Sequence, residues 1–463
     1  MLRIDQKTMK KTNVLIPAIL LCLGFANNTS AQRSIADSLK SMSYIQNDFI
    51  KVGIDLNLGG AITYIADVKK QENLINNADW GRQVQMSFYS GPVPFEPDGK
   101  KADPFWIYIG WNPIQSGDVA GNRSKVLEQK NTGNTLYVKC IPMHWPLDNV
   151  PGECYFESWI KLKGNTVEVH SRIVNHRPDK TQYTARGQEL PAVYTNAPYH
   201  RLVSYRGEKP FTNDTLSVIP NHNFPGEKTI EWAHWQASEN WAANVNEQDY
   251  GLGIWNAVVQ NFSGGFYGDT TFKGGSKDSP TGYISPVNME VLDHNITYNY
   301  NYTLILGSLK QIREYVYKKQ KSKHLPRYVF KKDRQHWVYE NTTDTGWPIR
   351  NNLVVNLNKG ASMISPYTFW KAADASSLTF KAVYRGNVKN ARVYWRSFNG
   401  GFNDQQSAAF TVIPDGKPHT YQIALNKSNN YKGTLTGLKI VLDASHEAKP
   451  GDKVKIQAVA LHP

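Results

Sequence analysis

The chain has 463 residues, a formal net charge of +14, and an aromatic load that includes 13 Trp and 25 Tyr. The length fits two or three domains. The positive charge is dispersed apart from 318–323 and 331–334, whereas nucleic-acid binding calls for a basic stripe and a recognisable module, so no nucleic-acid partner is expected.

The first segment reads as a secretion leader. Lys10 and Lys11 precede an apolar run over 14–25, and Asn27-Asn28-Thr29-Ser30-Ala31-Gln32 supplies a small-residue cleavage site after Ala31. Met9 fits the pattern as the start. The run is shorter than the ~20 residues a bilayer span needs, and no later stretch is apolar enough to cross. Leu21 before Cys22 is too large for a lipid-attachment motif. Arg3, Lys7, Lys10 and Lys11 against Asp5 give the leader a net +3, which leaves +11 on the mature chain. An exported, periplasmic or extracellular location follows as an expectation, and an acidic glycan is a reasonable attraction for such a basic chain.

Beyond a short helix over 32–42, the pattern is strand-like. Val, Ile, Tyr, Phe and Thr runs end in Gly, Asn, Asp or Pro at 48–56, 61–67, 83–89, 135–140, 155–162, 166–174, 251–255 and 298–306. Lys163-Gly164-Asn165 is a hairpin turn. Helical spacing of Leu309, Ile312 and Val316 predicts a helix over 308–319. The helix and a basic linker (308–327) separate a first β domain, 45–307, from a second, 328–463. Cys140 and Cys154 flank a predicted hairpin. An exported chain permits a disulfide there, and two buried thiols fit the spacing equally.

The aromatics concentrate between Trp80 and Trp255, often beside Asn, Gln, His or Glu. Flat rings with a polar handle suit sugar rings, which have apolar C–H faces and a polar rim. Strand propensity alone also favours aromatics. Several residues carry candidate chemistry. Glu189 lies between Arg186, Gln188 and Tyr194, and a desolvated carboxyl could serve as a proton donor in glycosidic cleavage. Strand alternation puts Tyr199 and Arg201 on one face and His200 on the other, making His200 either a site residue or a buried structural one. His144 beside Trp145 stands in the same position. Arg82 with Gln83 and Gln85 forms the best binding group: alternation places both amides on one face, where each donates and accepts. Trp241 follows Glu239 in Ser238-Glu239-Asn240-Trp241 as a further sugar contact. Metal and cofactor signatures are absent, so neither is expected.

Two resemblances organise these residues. Gly81-Arg82-Gln83-Val84-Gln85, Pro191-Ala192-Val193-Tyr194-Thr195-Asn196-Ala197-Pro198-Tyr199-His200 and the hairpin over 153–175 resemble segments of the galactose-mutarotase-like β-supersandwich, covering roughly 45–307. The resemblance implies an Arg-lined sugar site, a catalytic His at His200 and a late catalytic Glu at Glu290. It departs at Asn112-Pro113-Ile114-Gln115-Ser116-Gly117-Asp118, where mutarotases carry an early His. Gln115 cannot shuttle a proton, so sugar-anomer interconversion is disfavoured. Asn387-Val388-Lys389-Asn390-Ala391-Arg392-Val393-Tyr394-Trp395, with Pro414-Asp415-Gly416-Lys417-Pro418-His419-Thr420-Tyr421 and Gly451-Asp452-Lys453-Val454-Lys455-Ile456, resembles jelly-roll carbohydrate-binding modules, some of which are props.

The expected class is therefore all-β: an antiparallel supersandwich domain plus a C-terminal jelly-roll β-sandwich. The expected role is cleavage of a poly- or oligosaccharide by hydrolysis or elimination, with non-catalytic glycan binding as the alternative. Glu189 and Glu290 converging on one cleft with Arg82 and His200 would favour the enzyme, and their scattering would favour binding.

Overall fold

The computed structural model describes residues 41–227, 230–320 and 324–463. The expected leader and most of the helix over 32–42 lie outside them. The described residues are nearly all β. None of their helices is long and apolar enough to cross a membrane.

Two large sheets make the first sandwich. One has 11 strands, with Val84–Ser87, Arg186–Asn196, Thr281–Glu290 and Asn261–Tyr267 side by side. The other has 9, running through Thr297–Ser308, Thr166–Asn175, Cys154–Lys163 and Thr135–Ile141 to the edge strand Lys125–Asn131. Period-two patterning dictates the faces. In Thr135–Ile141, Leu136, Val138 and Cys140 are buried, while Tyr137 and Lys139 point outward. Ile54, Val84, Phe88, Val193 and Ile284 of the first sheet meet Leu136, Phe156, Ile160, Val169 and Leu304 of the second in one core. Each large side chain fully buried there contributes roughly 1.5–3 kcal/mol.

Cys140 and Cys154 are both buried free thiols. In the ladder Cys140 faces Phe156, not Cys154. Burial pushes both thiols up, away from reactivity.

A helix occupies Leu309–Lys319, where the spacing predicts one. Ser308 caps it in a capping box with Gln311. It lies on the outside of the second sheet, with Ile312 and Val316 against Val203, Trp241 and Ile305. Gly253 makes the approach possible: a Cβ there would sit 2.6 Å from Ile312 Cγ2. The helix is thus part of the first sandwich's covering and not a free linker.

The second sandwich packs a five-stranded sheet on a six-stranded one. Trp337, Trp370 and Trp395 lie in its core. The two sandwiches join through charged groups. Arg334 Nη2 lies 2.8 Å from Asp344 Oδ1 and also pairs with Asp293 of the first sandwich. Gln182 Nε2 donates to both Asp293 (2.9 Å) and Asp344 (2.7 Å). Burial alone would raise the Asp344 carboxyl, but Arg334 outweighs it and holds it below its usual range.

Candidate functional site

The candidate site is the outer face of the first sheet, turned away from the core. Strand Arg186–Asn196 carries Glu189 opposite Val287 and Tyr194 opposite Tyr283, with an irregularity between Glu189 and Val193. Val193 and Ile284 point into the core. Tyr194 and Tyr283 therefore stand on the other face, their ring centroids 4.8 Å apart. Trp232 packs on Tyr283 at 5.0 Å, and Ala192, Ile230 and Tyr267 complete the cluster.

Glu189 is 1% exposed. Tyr89 Oη donates to its Oε2 at 2.8 Å, and Tyr283 Oη donates to its Oε1. Burial raises the Glu189 carboxyl; the Tyr283, Tyr89 and Ser87 hydroxyls offset this only in part. No cation is among these groups to counter the effect of burial. Nearby, the Tyr194 hydroxyl and the Trp232 indole N–H are buried with no hydrogen-bond partner. Unmet buried donors are costly.

Arg82 is 3% exposed. Its Nε pairs with Asp79 at 3.0 Å, and its Nη1 donates to Asn76 Oδ1 at 3.3 Å and to the Ser279 carbonyl. Arg82 and Asp79 both act on the Tyr194 hydroxyl electrostatically, which puts this pair beside the tyrosine cluster. Asp79, with its side chain 41% exposed, is a carboxylate at the solvent side of the group.

The other expected site residues separate. Gln83 has φ +88°, which breaks the alternation, and the strand begins only at Val84. Gln83 and Gln85 do not form one recognition face. Gln83 donates to the Asp79 carbonyl at 2.6 Å, and Gln85 to the Arg82 carbonyl at 2.8 Å. Both brace the turn that holds Arg82. Glu290 lies three residues beyond Val287 and so on the opposite face from Glu189. It accepts from Tyr298 Oη at 2.9 Å and meets His336 of the second sandwich. His200 pairs with Glu247 at 3.0 Å and stacks on Phe272 at 3.7 Å, with burial lowering its pKa. His144 is fully buried against Phe95 and bonded to Glu153 at 2.9 Å. Trp241 is fully buried under the helix, its N–H donating to Glu239 at 3.1 Å. Arg313 Nη2 meets the same Glu239 at 2.8 Å, so this Trp and Glu clamp the helix in place. Of the nine residues singled out, Glu189, Tyr194 and Arg82 belong to the outer-face group.

Tyr89, Tyr283, Trp232 and Asp79 are the members that sequence reasoning missed. Thr281–Glu290 has the length and aromatic content of a strand, and its pairing with Arg186–Asn196 is what delivers Tyr283 to Glu189. That pairing spans about a hundred residues of chain and leaves no local signal.

No known protein-family model matches the chain, and no curated protein does. Solved structures resemble part of it. A putative aldose 1-epimerase from Escherichia coli K12 is 10% identical and covers 58% of this chain and 99% of its own, with a TM-score of 0.35. A galactose mutarotase related enzyme from Lactobacillus acidophilus is 14% identical, covering 58% and 97%, with a TM-score of 0.36. A 4-alpha-glucanotransferase from Thermococcus litoralis is 11% identical, covering 58% and 37%, with a TM-score of 0.33. Likenesses this distant carry no activity across; the all-β architecture stands on the chain's own sheets.

Proposed function

We propose that this chain is an exported carbohydrate-active protein that seats a poly- or oligosaccharide on the outer face of its first sheet. Glu189 is the proton donor to a glycosidic oxygen in cleavage of that sugar. The observation that supports this most directly is a fully buried carboxyl, its pKa raised by burial, in a tyrosine-walled site with two unmet donors beside it. General acid catalysis needs a carboxyl that still holds its proton near neutral pH. Tyr194 and Trp232 would bond the substrate's hydroxyls, and Asp79, oriented by Arg82, is the second carboxylate of this face. The second sandwich, with its tryptophans in its core, acts as a prop.

A second reading, capture of glycan without turnover, draws support from the opposite-face placement of Glu290 and the separate pairing of His200. One experiment separates the two. The chain lacking residues 1–31 is incubated with a panel of neutral and uronate-containing glycans and scored for new reducing ends, unsaturated products and retention. Turnover that disappears in Glu189→Gln supports the enzyme. Retention of a glycan without turnover replaces it with the capture reading. Neither turnover nor retention on any glycan overturns both.

A further inference from the structure

The second sheet carries an aromatic row on its own solvent face, in a different sheet from the residues around Glu189. Tyr137, Trp159 and His170 stand directly opposite one another on three adjacent strands. Their ring centroids are 5.1 and 5.0 Å apart, with interplanar angles of 36° and 38°. All three are partly exposed. Lys130 continues the row on one side and Asn301 on the other, and Asn301 Oδ1 lies 3.0 Å from His170 Nδ1.

A row of charged groups runs beside the rings. Glu157 sits between Lys139 and Arg172 in the ladder. Its side chain is only 7% exposed; its Oε2 accepts from Arg172 Nε at 2.7 Å, and its Oε1 accepts from Tyr137 Oη at 2.9 Å. The Arg172 guanidinium also lies over the Trp159 ring at 5.0 Å. Lys130, Tyr137, Glu157, Trp159 and Arg172 line an open depression that extends to Glu128 and Thr135. Solvent-facing strand positions are ordinarily polar. Three fixed rings in line on the solvent side, stacked on one another and topped by Arg172, forgo burial that an apolar core position would supply.

We propose that this row is a second binding site, for a neutral oligosaccharide chain laid across the strands, separate from the Glu189 site. The sugar C–H groups would pack along the exposed ring edges of Trp159 and Tyr137. Glu157 would accept from sugar hydroxyls and Arg172 would donate to their oxygens. Carboxylates decide the ligand class. Aromatic rows with Arg also stack nucleobases, but Glu157 and Glu128 would lie against a phosphate backbone, whereas hydroxyl donors match them. The site's geometry stands without any role for Glu189.

The test is native affinity electrophoresis of the chain lacking residues 1–31 through gels holding soluble neutral glucans, xylans or mannans, alongside a titration with single-stranded RNA. Trp159→Ala is expected to weaken retention on the bound glycan at least tenfold, about 1.4 kcal/mol, and Tyr137→Ala to weaken it several-fold. Lys432→Ala, at an exposed position of the second sandwich, leaves this retention unchanged. If Trp159→Ala does not fold, Tyr137→Ala carries the same comparison. Retention that survives the ring variants, or that falls equally in Lys432→Ala, overturns the site. So does a lack of retention by every neutral glycan tried, or RNA binding that depends on Trp159.

Discussion

Two buried carboxylates on opposite sides of one sandwich show how a single neighbour sets chemical character. Glu189 and Glu157 are 1% and 6% exposed. Both are bonded by tyrosine hydroxyls, Tyr89 and Tyr283 for the first and Tyr137 for the second. Burial raises each carboxyl. At Glu157 the hydrogen bond and charge of Arg172 outweigh it, and the pKa falls. At Glu189 no cation answers, and the pKa rises. Equal burial thus ends in opposite shifts. Burial accounts for the rise at Glu189 but not for the fall at Glu157, where the Arg172 guanidinium makes the difference.

The comparison breaks most sharply at Glu189. Glu189→Gln keeps the shape and removes the ionisable proton, so the melting temperature should scarcely move while turnover falls roughly 10²- to 10⁴-fold, read as kcat on whichever glycan the panel identifies. Unchanged turnover would remove Glu189 from the chemistry. Next in size is Arg172→Ala, which leaves Glu157 without its cation. Loss of such a bond costs about 1–3 kcal/mol; with Arg172 35% exposed solvent screening brings the expected loss to about 1 kcal/mol, measured by urea unfolding at neutral pH. Tyr283→Phe removes one donor from Glu189 at a cost of about 1 kcal/mol. It should also raise the Glu189 pKa further, because the hydroxyl favours the ion.

The smallest effect is in the pH dependence, where the two residues should act with opposite sign. Glu157, lower in the folded state, adds stability above the unfolded carboxylate value of about 4 and loses it as pH falls. Glu189, higher in the folded state, adds stability below that value and loses it as pH rises through its folded pKa. Subtracting the unfolding curve of Glu157→Gln from the native one should therefore leave a difference on the acid side. For Glu189→Gln it should lie on the neutral side. Differences of the same sign would dissolve the contrast.

Much of the architecture is legible in the sequence because period two and turn residues act locally. The alternation of Leu136, Val138 and Cys140 with Tyr137 and Lys139, and the Gly164 turn, read directly as strand and hairpin. The site is less legible because it is made by pairing at a distance. Glu189 can be picked from its neighbours, but Tyr283 reaches it from 94 residues away. Gln83 misled the alternation because its positive φ is invisible in composition. Trp241 reads like a sugar contact, yet the helix that covers it comes some seventy residues later. Glu290 shares a strand with Tyr283 and still faces the other way, since three residues along a strand is an odd step.

The Arg334 joint has a consequence for how the molecule comes apart. Its guanidinium, 5% exposed, meets Asp293 from one sandwich and Asp344 from the other. Separated after residue 320, the first half would keep Asp293 without its cation and without the surface that covers it, whereas the second half would keep Arg334 paired with Asp344. The two halves should accordingly melt in a single cooperative event, and a truncated first half should be the more fragile protein even though every residue around Glu189 is still present.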